Sequence, residues 1–362
     1  MPSAPSRLSP RSTRTEYGLM AGLAVLLLVG VPALHARGLI GNETLNLLGQ
    51  SLCYAILAIS VDLLWGGAGL LSLGQALFFA AGGYVVALHL TAVAPGAARG
   101  PDWWQNFASF PMALVAVAAL PGVIALIFGF PAFRSRMNGM YFAIATQALC
   151  AGLMILLRPI GILGGPSRTH PFGPLLGADL QDSVTQRTVF IATAAALLVI
   201  YGGCRWLNGT RFALVLRALR DGESRVLFSG YAAANYKLFA FVFAAFVAGI
   251  GGALCLLQAG QIGPESLAPD KSIEAVVWVV VGGRGTLIGP VCGAFGLSLL
   301  KSWVMRHCPD LWFALLGGLF VLFLLFLPEG LIGLPRRLAA VGRRIGSKPA
   351  SPPPPAAPIP SS

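Results

Sequence analysis

Apolar runs follow one another along this chain, most of them close to the length of a membrane-crossing helix and each ended by a short polar or glycine- and proline-containing break. A hydrocarbon core of about 30 Å needs roughly 20 apolar residues at about 1.5 Å of rise per residue. Ten candidate stretches emerge: 17–33, 45–64, 70–93, 110–130, 140–157, 189–207, 236–257, 273–281, 286–304 and 311–327. The pattern predicts an all-α polytopic membrane protein of about ten transmembrane helices, some broken or re-entrant. The count falls to nine if 273–281, too short to span alone, is a half-helix that stops at Gly282-Gly283-Arg284-Gly285 and buries its freed backbone groups in protein.

Composition supports the same solvent. Hydrophobic residues make up 56% of the chain and charged residues 10%, against about 25% charged in a soluble domain. The charge is not spread evenly: Arg211, Arg217, Arg220, Asp221, Glu223 and Arg225 all fall in one internal loop, 208–236. Basic residues favour the cytoplasmic side. A cytoplasmic N-terminus places Arg7, Arg11, Arg14, Arg134, Arg136, Arg284, that loop, and Arg336, Arg337, Arg343, Arg344 and Lys348 inside. Scattered single cations remain outside, and both termini are cytoplasmic. The chain thus divides into an N-terminal segment 1–16, a membrane domain 17–334 that includes the 208–236 loop, and a basic then proline-rich tail 335–362 expected to be disordered. The first apolar run is longer than a signal core and His35-Ala36-Arg37 is a poor cleavage site, so it is read as a helix. The net charge of +12 needs no nucleic acid partner, because the insertion rule and inner-leaflet lipid phosphates already account for a basic excess.

No catalytic set stands out. The six cysteines lack CxxC spacing and read as small hydrophobic residues, the four histidines are far apart, and VGGRGTLIGP at 281–290 lacks the Gly-Lys-Ser/Thr ending of a phosphate-binding loop. No enzyme activity, bound cofactor or metal is expected of this chain. Glycine clusters at 66–69, 81–83, 248–252 and 282–296 point to close helix packing, with the breaks at 66–69 and 282–289 as candidates for a translocation path. In the basic loop, Gly222 can break a helix, Glu223 then falls in the first turn of a new one where the dipole favours a carboxylate, and Gly230 can end it.

Several runs resemble the membrane permease subunits of bacterial ABC importers for branched-chain amino acids. They are LLWGGAGLLSLGQALFFAAGGYVVALHL (63–90), SRMNGMYFAIATQAL (135–149), RALRDGESRVLFSGY (217–231), WVVVGGRGTLIGPVCGA (278–294) and FLPEGLIGL (326–334). Within that family FRSRMNGMYFAIATQAL, RDGESRVLFSGY with YKLFAF, KSIEAVVWVVVGGRGTLIGPV and LLKSWVMRHCPDLWF look closest to the urea and short-chain amide branch. The resemblance implies an inner-membrane location and a cytoplasmic coupling helix that rests on an ATPase subunit. Glu223 and Gly230 match the family's acidic residue and following glycine, with Arg220 and Asp221 just upstream. It further implies a second homologous permease in a heterodimer, two ATPase subunits holding ATP and Mg, and a periplasmic solute-binding protein.

Polar side chains inside the apolar runs include Asp62, Ser72, Gln75, Thr146, Gln147 and Glu274. Ser72, Gln75, Thr146 and Gln147 offer donors and acceptors without charge, as an uncharged amide-like solute would need, and are expected to line its path. Two departures from the family pattern bear on the substrate: glutamine stands at 75 where many relatives have histidine, and 161–173 lacks the asparagine-rich glycine motif usual in the urea branch. Branched-chain amino acids therefore stay open as the alternative solute. A channel or secondary transporter would need an ion site, for which only Asp62 and Glu274 are candidates, and a structural scaffold leaves the loop motif without a purpose.

Overall fold

A computed structural model describes residues 22, 26–39, 41–93, 106–135, 137, 139–157, 182–327 and 330–331. The 1–16 segment, the 161–173 loop and the 335–362 tail, with the expectations attached to them, lie outside the described residues. The described part is mostly helical, and each apolar run from 45 onward has a counterpart; of the first run, 17–33, residues 17–21 and 23–25 lie outside the described residues. A π-helical turn Leu26–Gly30 leads into α1 (Val31–Ala36). Next come α2 (Asn42–Asp62), α3 (Gln75–Val93), α4 (Phe110–Arg134) and α5 (Met140–Leu157). After them follow α6 (Ser183–Asn208), α7 (Arg211–Phe228) and α8 (Ala233–Ala259). The last three are α9 (Pro269–Gly282), α10 (Ile288–His307) and α11 (Trp312–Phe326).

Among the described residues seven helical stretches are long and apolar enough to cross a membrane, and Leu26–Ala36 and Met140–Leu156 are shorter apolar helices. The protein is a multi-pass all-α membrane protein. The half-helix expected near 273–281 is α9, whose 14 residues reach only about 21 Å.

Helices α2, α3 and α8 form the centre, and side chains on all faces of α3 are buried, from Gln75 to Leu90. Glycine makes this possible. A Cβ on Gly82 of α3 would collide with the Gly249 carbonyl of α8, and one on Gly252 of α8 would collide with the Phe79 carbonyl of α3. Gly249 and Gly251 also admit Pro121 of α4 and Ile56 of α2. In a membrane, where lipid is as apolar as leucine, such close backbone approach replaces the hydrophobic drive of water. The peripheral α4, α5 and α11 instead turn large apolar side chains outward, including Leu114, Ile127, Ile144, Ile155, Phe313 and Leu325.

One acid joins the last three helices. The buried carboxylate of Glu274 on α9 accepts from Lys301 Nζ of α10 at 2.5 Å and from Trp312 Nε1 of α11 at 2.9 Å, with Lys271 Nζ at 3.8 Å. A charge this deep is tolerable only when paired.

Candidate functional site

Helix α2 does not end cleanly. Past Asp62 it loosens into a π-turn, Leu63–Ala68, and stops at Gly69, whose φ of +73° is left-handed. Residues 69–74 are then non-helical, and α3 begins at Gln75. Non-helical backbone at membrane depth must be covered by protein, and it is. The Leu73 N–H donates to Thr146 Oγ1 of α5 at 3.1 Å, and the Ala76 N–H donates to Ser272 Oγ of α9 at 3.1 Å. Ser72, Gln75, Thr146 and Ser272 are each no more than 1% exposed.

Three of the four residues expected on the solute path thus meet at the start of α3. Thr146 holds the non-helical segment directly, and the Gly74 N–H donates to Ser72 Oγ at 3.4 Å. Gln147 is half-buried. Gln75 stands out because both atoms of its carboxamide are enclosed without a hydrogen-bond partner, an arrangement worth about 1–3 kcal/mol of destabilisation. Ser272 belongs to the same group, although a lone serine near the start of a short helix carries no distinguishing pattern in the sequence.

At the other end of this broken segment three chain regions converge. Asp62 accepts from the Gly285 N–H at 2.6 Å and the Leu287 N–H at 3.3 Å, fixing the turn between α9 and α10. That turn is tight: Gly283, Gly285 and Leu287 all have positive φ, and for Leu287, at +58°, this is strained. Arg284 from the turn donates through Nε and Nη2 to the Trp65 carbonyl at 3.1 and 2.7 Å, its guanidinium 4.5 Å from the Trp65 ring centre. Arg220 from α7 donates through Nη1 to the next carbonyl, Gly66, at 2.7 Å. Burial and the neighbouring Arg220 pull the Arg284 guanidinium below its ordinary pKa, with Asp62 opposing. The two glycine-rich breaks of the sequence are therefore one structure, with Gly66 packed on Gly285 too closely for a Cβ.

Helix α7 carries Arg220, Asp221 and Glu223, the residues expected to form a coupling motif with Gly230. Its helical path is interrupted at Gly222, where the backbone is extended, as the sequence led us to expect. Arg220 Nε also donates to Asp221 Oδ1 at 3.0 Å. Glu223 accepts from Lys237 Nζ at 2.6 Å, with the lysine side chain 6% exposed, which ties the distal turn of α7 to the base of α8. The turn closes in a Schellman motif: Gly230 N–H to Leu227 O at 3.0 Å and Tyr231 N–H to Val226 O at 3.4 Å, with Gly230 at φ +83°. Beside this stop Leu227, Phe228 and Tyr231 project outward, Phe228 being 92% exposed.

Neither acid proposed for an ion site is open. Asp62 is occupied by two backbone N–H groups, and Glu274 by Lys301 and Trp312.

Comparison with known proteins places this arrangement. The family model described as "Branched-chain amino acid transport system / permease component" matches residues 43–324. The high-affinity branched-chain amino acid transport system permease protein LivM of Escherichia coli strain K12 is 29% identical over 338 residues, covering 86% of this chain and 74% of LivM. LivM of Salmonella typhimurium is 29% identical over 342 residues, 87% of this chain and 75% of the relative. The permease protein BraD of the corresponding Pseudomonas aeruginosa system is 23% identical over 309 residues, 81% of this chain and 96% of BraD. No solved structure gave a significant match.

Proposed function

The chain belongs to the family of branched-chain amino acid transport system permease components, and from that premise we propose that it is the inner-membrane permease subunit of an ATP-driven importer. It pairs with a second homologous permease, two ATPase subunits that hold ATP and Mg, and a periplasmic solute-binding protein. It carries no ATPase site of its own. The observation that bears most weight is the end of α7, where Leu227, Phe228 and Tyr231 stand exposed while Glu223 and Arg220 fasten the same element to α8 and α2. An exposed aromatic on a polar, firmly anchored helix end is what a docking surface for a soluble subunit requires. The compensated states of Asp62 and Glu274 speak against an ion-driven transporter.

For the solute, the likeness to LivM and BraD, permeases of branched-chain amino acid transport systems, favours branched-chain amino acids. Urea or a short amide is the second reading, and one observation favours it: the unpartnered Gln75 carboxamide offers one donor face and one acceptor, the complement of another amide. Competition decides between them. Proteoliposomes holding the complete importer are given ATP and labelled leucine or labelled urea. Leucine accumulation that excess unlabelled urea does not reduce supports the amino-acid reading, and urea accumulation indifferent to leucine replaces it.

A further inference from the structure

The last carbonyls of a helix have no partner within it and carry its negative dipole end. At the end of the α2 π-turn two such carbonyls, Trp65 and Gly66, are consecutive in sequence, yet their donors come from different parts of the molecule. Arg284 on Trp65 belongs to the α9–α10 turn, which Asp62 fastens back onto α2 itself. Arg220 on Gly66 belongs to α7, whose distal turn is exposed. Gly69 fits against the Arg220 stem so closely that a Cβ there would lie 2.5 Å from Arg220 Cγ. From Gly66 the end of the π-turn and the non-helical segment 69–74 lead within nine residues to Ser72 and Gln75.

We propose that Arg220 is the positioning residue that carries movement of α7 into the solute path, by pulling the Gly66 carbonyl while Arg284 holds its neighbour Trp65 still. This rests on the importer reading above. One carbonyl is anchored to the static core and the next to the element that faces outward. A displacement of α7 therefore bends the chain between them instead of shifting α2 as a whole. The π-turn suits this role, since its wider loops leave room to tighten. The 69–74 segment follows because its Leu73 N–H is held by one hydrogen bond to Thr146 and its Gly74 N–H by one to Ser72 within the segment, rather than by a helix ladder.

The test uses the complete reconstituted importer and reads two rates together, solute taken up and ATP hydrolysed, alongside the amount of assembled complex. Arg220→Ala is expected to keep at least half of the wild-type hydrolysis while solute per ATP falls at least tenfold. Arg220→Lys, which retains an N–H donor, should recover part of that ratio, and Gly69→Ala, which displaces the Arg220 side chain, should lower it from the other side of the contact. Arg217→Ala, whose parent donates to the Asn208 carbonyl in its own loop, should leave the ratio unchanged. An Arg220→Ala complex with wild-type solute per ATP overturns the inference, as does an equal fall in the ratio for Arg217→Ala. A wild type without ATP-driven uptake removes the importer reading itself.

Discussion

On the importer reading, two side chains, Phe228 and Gln75, carry the sharpest expectations about partner and solute. Phe228 is nearly free of contacts, and an interface aromatic of this kind contributes about 2 kcal/mol or more. Phe228→Asp should therefore reduce co-purification of the ATPase subunit at least tenfold while insertion into the membrane is unchanged, as a pull-down from solubilised membranes measures. Gln75→Leu gives a paired outcome. An apolar side chain ends the unsatisfied burial, so thermal stability holds or rises, whereas uptake falls at least tenfold if the carboxamide faces the solute. Unchanged uptake would show that Gln75 is not on the path. Ser72, Gln75 and Thr146 were visible in the sequence as polar residues in apolar runs. The backbone groups that Thr146, Ser72 and Ser272 hold, the Leu73, Gly74 and Ala76 N–H, leave no mark on residue identity, and neither do the Trp65 and Gly66 carbonyls that Arg284 and Arg220 reach. Asp62 and Glu274 were visible too, but only geometry distinguishes an open ion site from a carboxylate already filled by Gly285 and Leu287 or by Lys301 and Trp312.

Among elements, glycine contacts and one buried ion pair set the packing. A valine at Gly252 would force α3 and α8 apart at the Phe79 carbonyl, and Gly252→Val is expected to abolish a folded, monodisperse protein in detergent, as size-exclusion chromatography would show. Glu274→Ala removes one partner of the α9–α10–α11 cluster. Breaking a buried pair costs about 3–5 kcal/mol, and the Lys301 side chain, 23% exposed, puts this case near the low end, still enough to lower the unfolding temperature by several degrees. The ten apolar runs predicted the elements well because lipid imposes length and apolarity together. Their ends shifted where polar residues continue a helix beyond the hydrocarbon: α6 begins at Ser183 and α8 extends to Ala259. The short run 273–281 grew into α9 by the addition of Gly282 at its end and of Pro269, Asp270, Lys271 and Ser272, which form a proline-led first turn. Of the π-turn at 63–68 the sequence marked only the glycine-rich end at 66–69, since Leu63, Leu64 and Trp65 are as apolar as the helix before them.

For the molecule as a whole, the basic loop, the broken end of α2 and the strained α9–α10 turn form one junction, and the buried start of α3 lies a few residues from it. That continuity from the exposed aromatic end of α7 to an enclosed polar group is the reason an importer permease describes this chain better than a scaffold or an ion-coupled carrier. The most direct measurement is labelled-leucine accumulation in proteoliposomes containing this chain, its companion permease, the ATPase subunits and the binding protein, with ATP supplied inside or with only proton or sodium gradients. Accumulation that requires ATP and vanishes without the ATPase subunits is the predicted result. Accumulation driven by an ion gradient in their absence would contradict it.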